Sequence, residues 1–168
     1  MNNAWAVGYY QGANGTISLT LAEHWNGTKW SIVPSPNIGS SQNVLNGVAT
    51  YSSKVRAVGY YQDVNDNSGW PLIEQWNGTK WLATSGSAPT GSAYNILNGI
   101  TALSANNAWA VGYFINASSN IDQTLTEQWN GTSWHVVSSP NVGMSGNRLS
   151  AIAHVPGTTQ VWAAGYYG

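Results

Sequence analysis

Six carboxylates and three histidines are the acid–base groups from which catalysis could be built in this chain of 168 residues. Three of the six are glutamates, Glu23, Glu74 and Glu127, and each stands two residues before a tryptophan. A carboxylate repeated in this way suits a structural hydrogen bond to backbone N–H groups. The sharper alternative is a ring of carboxylates around a channel, able to hold a cation. Glycoside hydrolysis would need two carboxylates flanking the scissile bond. Besides the glutamates, only Asp63, Asp66 and Asp122 are present, all in polar stretches that read as loops. His24, His135 and His154 fall at unrelated positions of the repeat, whereas zinc needs a converging set. The segment Asp63–Asn67 lacks the Gly and terminal Glu of a calcium-binding loop. The chain has no cysteine, which excludes a thiolate nucleophile, a thiolate metal site and a disulfide framework. Neither a metal nor any other cofactor is expected.

Aromatic residues make up 12% of the chain and charged residues only 7%, against roughly 25% charged in an average soluble protein. Ten tryptophans offer flat apolar faces on which sugar rings can stack. Six of them, Trp25, Trp30, Trp76, Trp81, Trp129 and Trp134, recur at fixed positions, which marks them as packing between repeats. Trp70, Tyr94 and Tyr51 lie outside the most regular positions and are the candidate ligand-binding aromatics. The net charge is −1, with two Arg and three Lys scattered singly, so no basic field exists to attract nucleic acid or anionic lipid. No apolar run approaches the roughly 18 residues that span a membrane. Few charges, no cysteine and abundant Asn, Ser, Thr and Gly suggest an extracellular or cell-surface protein, bacterial in type.

The elements that must position these residues repeat. Glu23-His24-Trp25-Asn26-Gly27-Thr28-Lys29-Trp30 returns 51 residues on at Glu74–Trp81 and a further 53 on at Glu127–Trp134. Asn-Gly between two strand-favouring runs predicts a tight hairpin turn in which both residues take φ > 0. A second unit, Ala4-Trp5-Ala6-Val7-Gly8-Tyr9-Tyr10, recurs at Val55–Tyr61, Ala108–Phe114 and Val161–Tyr167. Alternation puts Trp5, Val7 and Tyr9 on one face and Ala4, Ala6 and Gly8 on the other. Gly8, Gly59, Gly112 and Gly165 therefore mark a small face open to a close approach, with the hairpin tryptophans as the expected partners. A third unit, Leu45–Ala49, matched at Leu97–Thr101 and Leu149–Ala153, reads as a short strand. With the strands lettered a (the third unit), b (the second), c and d (the hairpin arms), the chain runs b-c-d, a-b-c-d, a-b-c-d, a-b. No stretch has helical periodicity. The repeat units fall at about residues 1–43, 44–95, 96–147 and 148–168 of one repeat domain.

A strand ending in Trp-Ala-Val-Gly-Tyr, a polar loop and then Glu-x-Trp-Asn-Gly-Thr-x-Trp resembles a kelch-type blade. The departures are Gly-Tyr in place of kelch's double Gly, and Asn26, Asn77 and Asn130 in place of its Asp. The resemblance implies an all-β fold, a β-propeller built from four-stranded antiparallel blades, with three repeats in this chain. It carries no galactose-oxidase-type activity, because that class needs a cross-linked cysteine at its copper.

Strand b occurs four times and the others three times each, which leaves three blades and one surplus strand. Propellers close with about 4–8 blades. A head-to-tail homodimer would give six blades and a trimer nine, and strand exchange through the surplus strand would give a filament. Because the sequence opens inside a repeat unit, it reads as a slice of a longer array. The expected function is a non-enzymatic, self-assembling scaffold or protein-interaction module. A lectin-like glycan-binding propeller is the alternative, and a fragment of a carbohydrate-active enzyme the second.

Overall fold

A computed structural model describes residues 3–66 and 68–168. It is all β, with strands in the order read from the repeats. The first group is β1 (Ala4–Gln11), β2 (Ser18–Trp25) and β3 (Trp30–Ile32). The second is β4 (Gln42–Tyr51), β5 (Lys54–Gln62), β6 (Gly69–Trp76) and β7 (Trp81–Ser85). The third is β8 (Ser92–Ser104), β9 (Asn107–Asn116), β10 (Asp122–Trp129) and β11 (Trp134–Val136). The last is β12 (Asn147–His154) with β13 (Val161–Tyr167). Each group is an antiparallel meander. Single parallel bridges, Ser18 to Gln42 and Gly69 to Tyr94, join the first three into one eleven-stranded sheet, and β12–β13 form a separate pair. Among the described residues the strands do not close into a ring.

The Leu-Asn-Gly units are not short strands. They sit in the long inner strands β4 and β8, and each carries a bulge that sets the local geometry. Leu45 pairs with Gly59 and Gly47 with Val58, so Asn46 is the extra residue; Asn98 and Ser150 are its counterparts. A bulge adds one residue and re-aims its side chain. Here the bulge presses the inner strand's backbone onto the glycine of strand b. A Cβ at Gly59 would lie 1.8 Å from the Val44 carbonyl oxygen, one at Gly112 1.8 Å from that of Ile96, and one at Gly165 1.9 Å from that of Arg148. The small face thus admits the neighbouring backbone of the same meander. It does not receive a tryptophan, which corrects the expectation from alternation.

The re-aimed side chains join one meander to the next. Asn46 Nδ2 donates to the Leu97 carbonyl at 2.9 Å and Asn98 Nδ2 to that of Leu149 at 2.7 Å. Beside these bonds the inner strands touch through glycine, a Cβ at Gly47 falling 3.2 Å from the Gly99 Cα. The glutamates make a second set of links. Ser35 Oγ donates to Glu74 Oε2 at 2.5 Å, and the Ser87 backbone N–H donates to Glu127 Oε2 at 2.9 Å. Glu74 and Glu127 are fully buried in separate gaps between meanders, so they form no carboxylate ring. Each gap has its own apolar core. Leu45, Ala57, Leu72 and Trp81 fill the first; Val58, Ile73, Leu97, Phe114 and Leu125 fill the second.

The hairpins also differ from the expected two-residue turn. Trp25 pairs with Trp30 across a four-residue loop, and only its glycine has positive φ, 101° at Gly27, 104° at Gly78 and 100° at Gly131. Asn26 stays out of the left-handed region because its Oδ1 accepts from Thr28 N, Thr28 Oγ1 and Lys29 N at 2.8–3.1 Å. Asn77 and Asn130 repeat that side-chain cap.

Two predictions follow from this packing. Gly112→Ala should cost about 3 kcal/mol or more in urea unfolding, since the clash is with backbone that cannot swing away. Burial pushes the Glu74 and Glu127 carboxyls from 4.5 up to about 7, against the opposing hydrogen bonds from Ser35 and Ser87. The folded chain then holds protons that the unfolded chain releases, so stability is greatest below pH 4.5 and falls as pH rises toward 7. The upper bound is on the order of 3 kcal/mol per carboxyl. Thermal melts at pH 5 and 8 should differ by about 5 °C or more, lower at pH 8. Replacing both glutamates with glutamine should flatten that difference.

Candidate functional site

The repeats are not identical, and a concavity lies where two of them differ. Strand b carries Trp5 in the first meander and Arg56 at the same place in the second. Strand c carries His24 in the first, where the later copies have Gln75 and Gln128.

In the second gap Arg56 crosses to the following meander. Its Nη2 donates to the Ala105 carbonyl in the β8–β9 turn at 2.9 Å, and its Cζ lies 5.0 Å from the Trp129 ring. It is only 3% exposed, and burial lowers its pKa. A planar cation over an aromatic face, with a carbonyl beyond, closes that space.

In the first gap Trp5 does not reach so far. Its ring centroid lies 4.6 Å from that of His24, 5.0 Å from Trp76 and 5.1 Å edge-on from Trp81. The β4–β5 turn, Ser52–Ser53, stands opposite without a bridging side chain. Between them is an open cleft of about 600 Å³, within the roughly 300–1,000 Å³ of small-molecule sites. One wall is Asn3, Trp5 and His24; the other is Thr50, Ser52, Ser53 and Trp76. Positive φ at Ser52, 53°, makes the turn that presents these hydroxyls. His24 Nε2 lies 2.7 Å from Asn3 Oδ1, an acceptor, so Nε2 is the donor of that contact. The cleft combines two aromatic faces with hydroxyl, amide and imidazole groups, and no carboxylate lines it.

The aromatics expected to bind ligand do not converge. Tyr51 is exposed between the cleft residues Thr50 and Ser52 but is not part of the lining. Trp70 is exposed at the other end of β6, six residues from Trp76 and so about 20 Å away. Tyr94 is half-buried; its ring packs 5.8 Å from that of Tyr60 and covers Gly69, whose Cβ would meet it at 2.8 Å. Burial raises its phenol pKa, with Tyr60 and Tyr113 adding to the shift.

Of the recurring tryptophans, Trp81 is buried, Trp25, Trp76, Trp129 and Trp134 are half-buried, and Trp30 is exposed. Within each hairpin the two rings pack at 5.8–5.9 Å. Glu23 is half-buried, and no hydrogen bond to its side chain is found among the described residues. Neither His135 nor His154 belongs to the cleft; Nδ1 of His154 lies 2.9 Å from Thr101 Oγ1, across β8 and β12. Among the described residues no three His, Asp or Glu side chains come together as metal ligands would. Reading the repeats for their common residues missed Trp5 and His24 as a pair. The signal available in the sequence was the departure of His24 from Gln75 and Gln128, and of Arg56 from the Trp5, Trp109 and Trp162 of the other copies.

No family model matches the sequence, and no curated protein matches it. In fold the chain is similar to a fucose lectin from Kordia zhangzhouensis, whose structure was solved in complex with methyl-fucoside. The TM-score is 0.51 at 19% sequence identity, over 83% of this chain and 93% of that one.

Proposed function

We propose that the protein is a glycan-binding, lectin-like module, and that the cleft between Trp5 and the Ser52–Ser53 turn receives a single sugar ring. The observation that carries this reading is the composition of the cleft: aromatic faces at Trp5 and Trp76 beside hydroxyl, amide and imidazole groups. Sugars present the same two surfaces, a patch of C–H groups and a rim of hydroxyls. The fold similarity to a fucose lectin supports the class of ligand, and the apolar methyl of a 6-deoxy sugar suits an aromatic wall. A lining without carboxylates favours binding over glycoside hydrolysis, which needs a carboxyl pair. The kelch-type resemblance and the four-stranded meanders fit a propeller-type repeat array acting as the scaffold, and glycan binding fits a protein exposed outside the cell.

The test exploits the repeat itself. Trp5→Arg installs the residue that spans the next gap, and so should fill the cleft while keeping the fold. Calorimetric titration with methyl-fucoside and a panel of other methyl glycosides should show binding to the native chain. Trp5→Arg should weaken it at least about tenfold, a loss of 1.4 kcal/mol. His24→Gln should weaken it less. Absence of binding to every sugar, or binding indifferent to Trp5→Arg, would overturn the assignment.

A further inference from the structure

Three contacts between meanders run one way along the chain, from one repeat to the next. Ser35 reaches Glu74, Ser87 reaches Glu127, and Trp5 packs on Trp76 and Trp81. Two groups at opposite ends of the array hold the unmatched halves of this scheme. Glu23, at the repeat position of Glu74, receives no serine among the described residues. Ser139, at the repeat position of Ser35, bonds instead to Thr124 Oγ1 of its own meander at 2.6 Å.

The glycines show the same mismatch. Gly59, Gly112 and Gly165 each take a carbonyl oxygen where a Cβ would stand, but at Gly8 nothing lies within 4 Å. Strand β1 therefore carries the recess for an inner strand and has none among the described residues. Strand β12 is such an inner strand, bulged at Ser150, and its partner is β13. Little covers that partner: six of its seven residues are exposed, Trp162 at 70% and Tyr166 at 60%. β1 retains four half-buried positions against β2 and the second meander.

We propose that β12 of one copy pairs with β1 of a second copy, in the register that β13 now holds, and that β13 gives way. Gly8 then faces Leu149 and receives the Arg148 carbonyl, Val7 faces Ala151, and Tyr9 faces Arg148. β12 with β1, β2 and β3 of the second copy makes a complete four-stranded meander, and the Glu23 it brings faces Ser139. The exchange is reciprocal, so two chains close on each other with two identical interfaces. The occupant is a second copy because one chain carries both halves of every contact, in the order its own repeats already use. β1 keeps its place on β2, so the cleft at Trp5 is retained.

The decisive variant is Gly8→Ala. It adds a methyl group where the isolated chain has open space and where the exchanged pair has a carbonyl oxygen. Size-exclusion chromatography with light scattering should give the native chain twice its 17.9 kDa mass, dissociating on dilution. Gly8→Ala should lose the two-chain species while its melting temperature at high dilution stays that of the native chain. Gly165→Ala, which disturbs only the displaced strand, should keep or strengthen the pair. A native chain that is monomeric at the highest soluble concentration would overturn the proposal. So would an open polymer, or a Gly8→Ala chain that pairs as the native one does.

Discussion

The array depends on a carbonyl oxygen resting where a side chain would begin. Val44 over Gly59 and Ile96 over Gly112 are the complete cases, and each exists because the inner strand carries one residue too many. The extra residue is asparagine, and the bulge that seats the carbonyl also turns its amide toward the next inner strand. Strand pairing within a meander and spacing between meanders are thus set by one local irregularity. Glycine at position 47 or 99 lets the inner strands touch, and the Ser–Glu bonds hold the outer strands at a matching separation. Below about pH 7 the buried carboxyls hold a proton, which avoids the desolvation that a charge would suffer.

With the spacing fixed, what fills each gap is decided by a few side chains. The second gap receives a guanidinium long enough to reach a carbonyl in the opposite turn. The first receives an indole that packs inward on Trp76 and Trp81 and leaves its outer side open. The same backbone therefore yields a closed interface in one place and a cleft in the other. A binding site made this way costs the fold little, since Trp5 remains part of the first core while it lines the cleft.

Much of the fold was legible because the repeat reports itself. Strand order, the hairpins flanked by tryptophan and the absence of helix follow from periodicity and from Asn-Gly punctuation. What periodicity could not convey was register. The Leu-Asn-Gly unit looks like an ordinary short strand, and nothing in Leu45–Ala49 announces that Asn46 stands outside the pairing. The glycines of strand b were legible as a close approach but not as an approach by backbone. Buried Asn43, Asn95 and Asn147, which tie the inner strands to neighbouring loop or strand backbone, pass as loop polarity in the sequence. The proposed cleft was hidden for the opposite reason, since a search for common residues discards His24, where the first repeat departs from the others, and Arg56, whose place Trp5, Trp109 and Trp162 take in the other copies.

The most direct measurement is an amide and indole NMR titration of the chain with methyl-fucoside, because ten tryptophans give ten separate indole N–H reporters. The account predicts saturable shifts at Trp5 and Trp76, with smaller ones at the Ser52 and Ser53 amides, and still signals at Trp30, Trp70 and Trp162. Shifts confined to Trp70 or Trp162, or none at any indole, would contradict it.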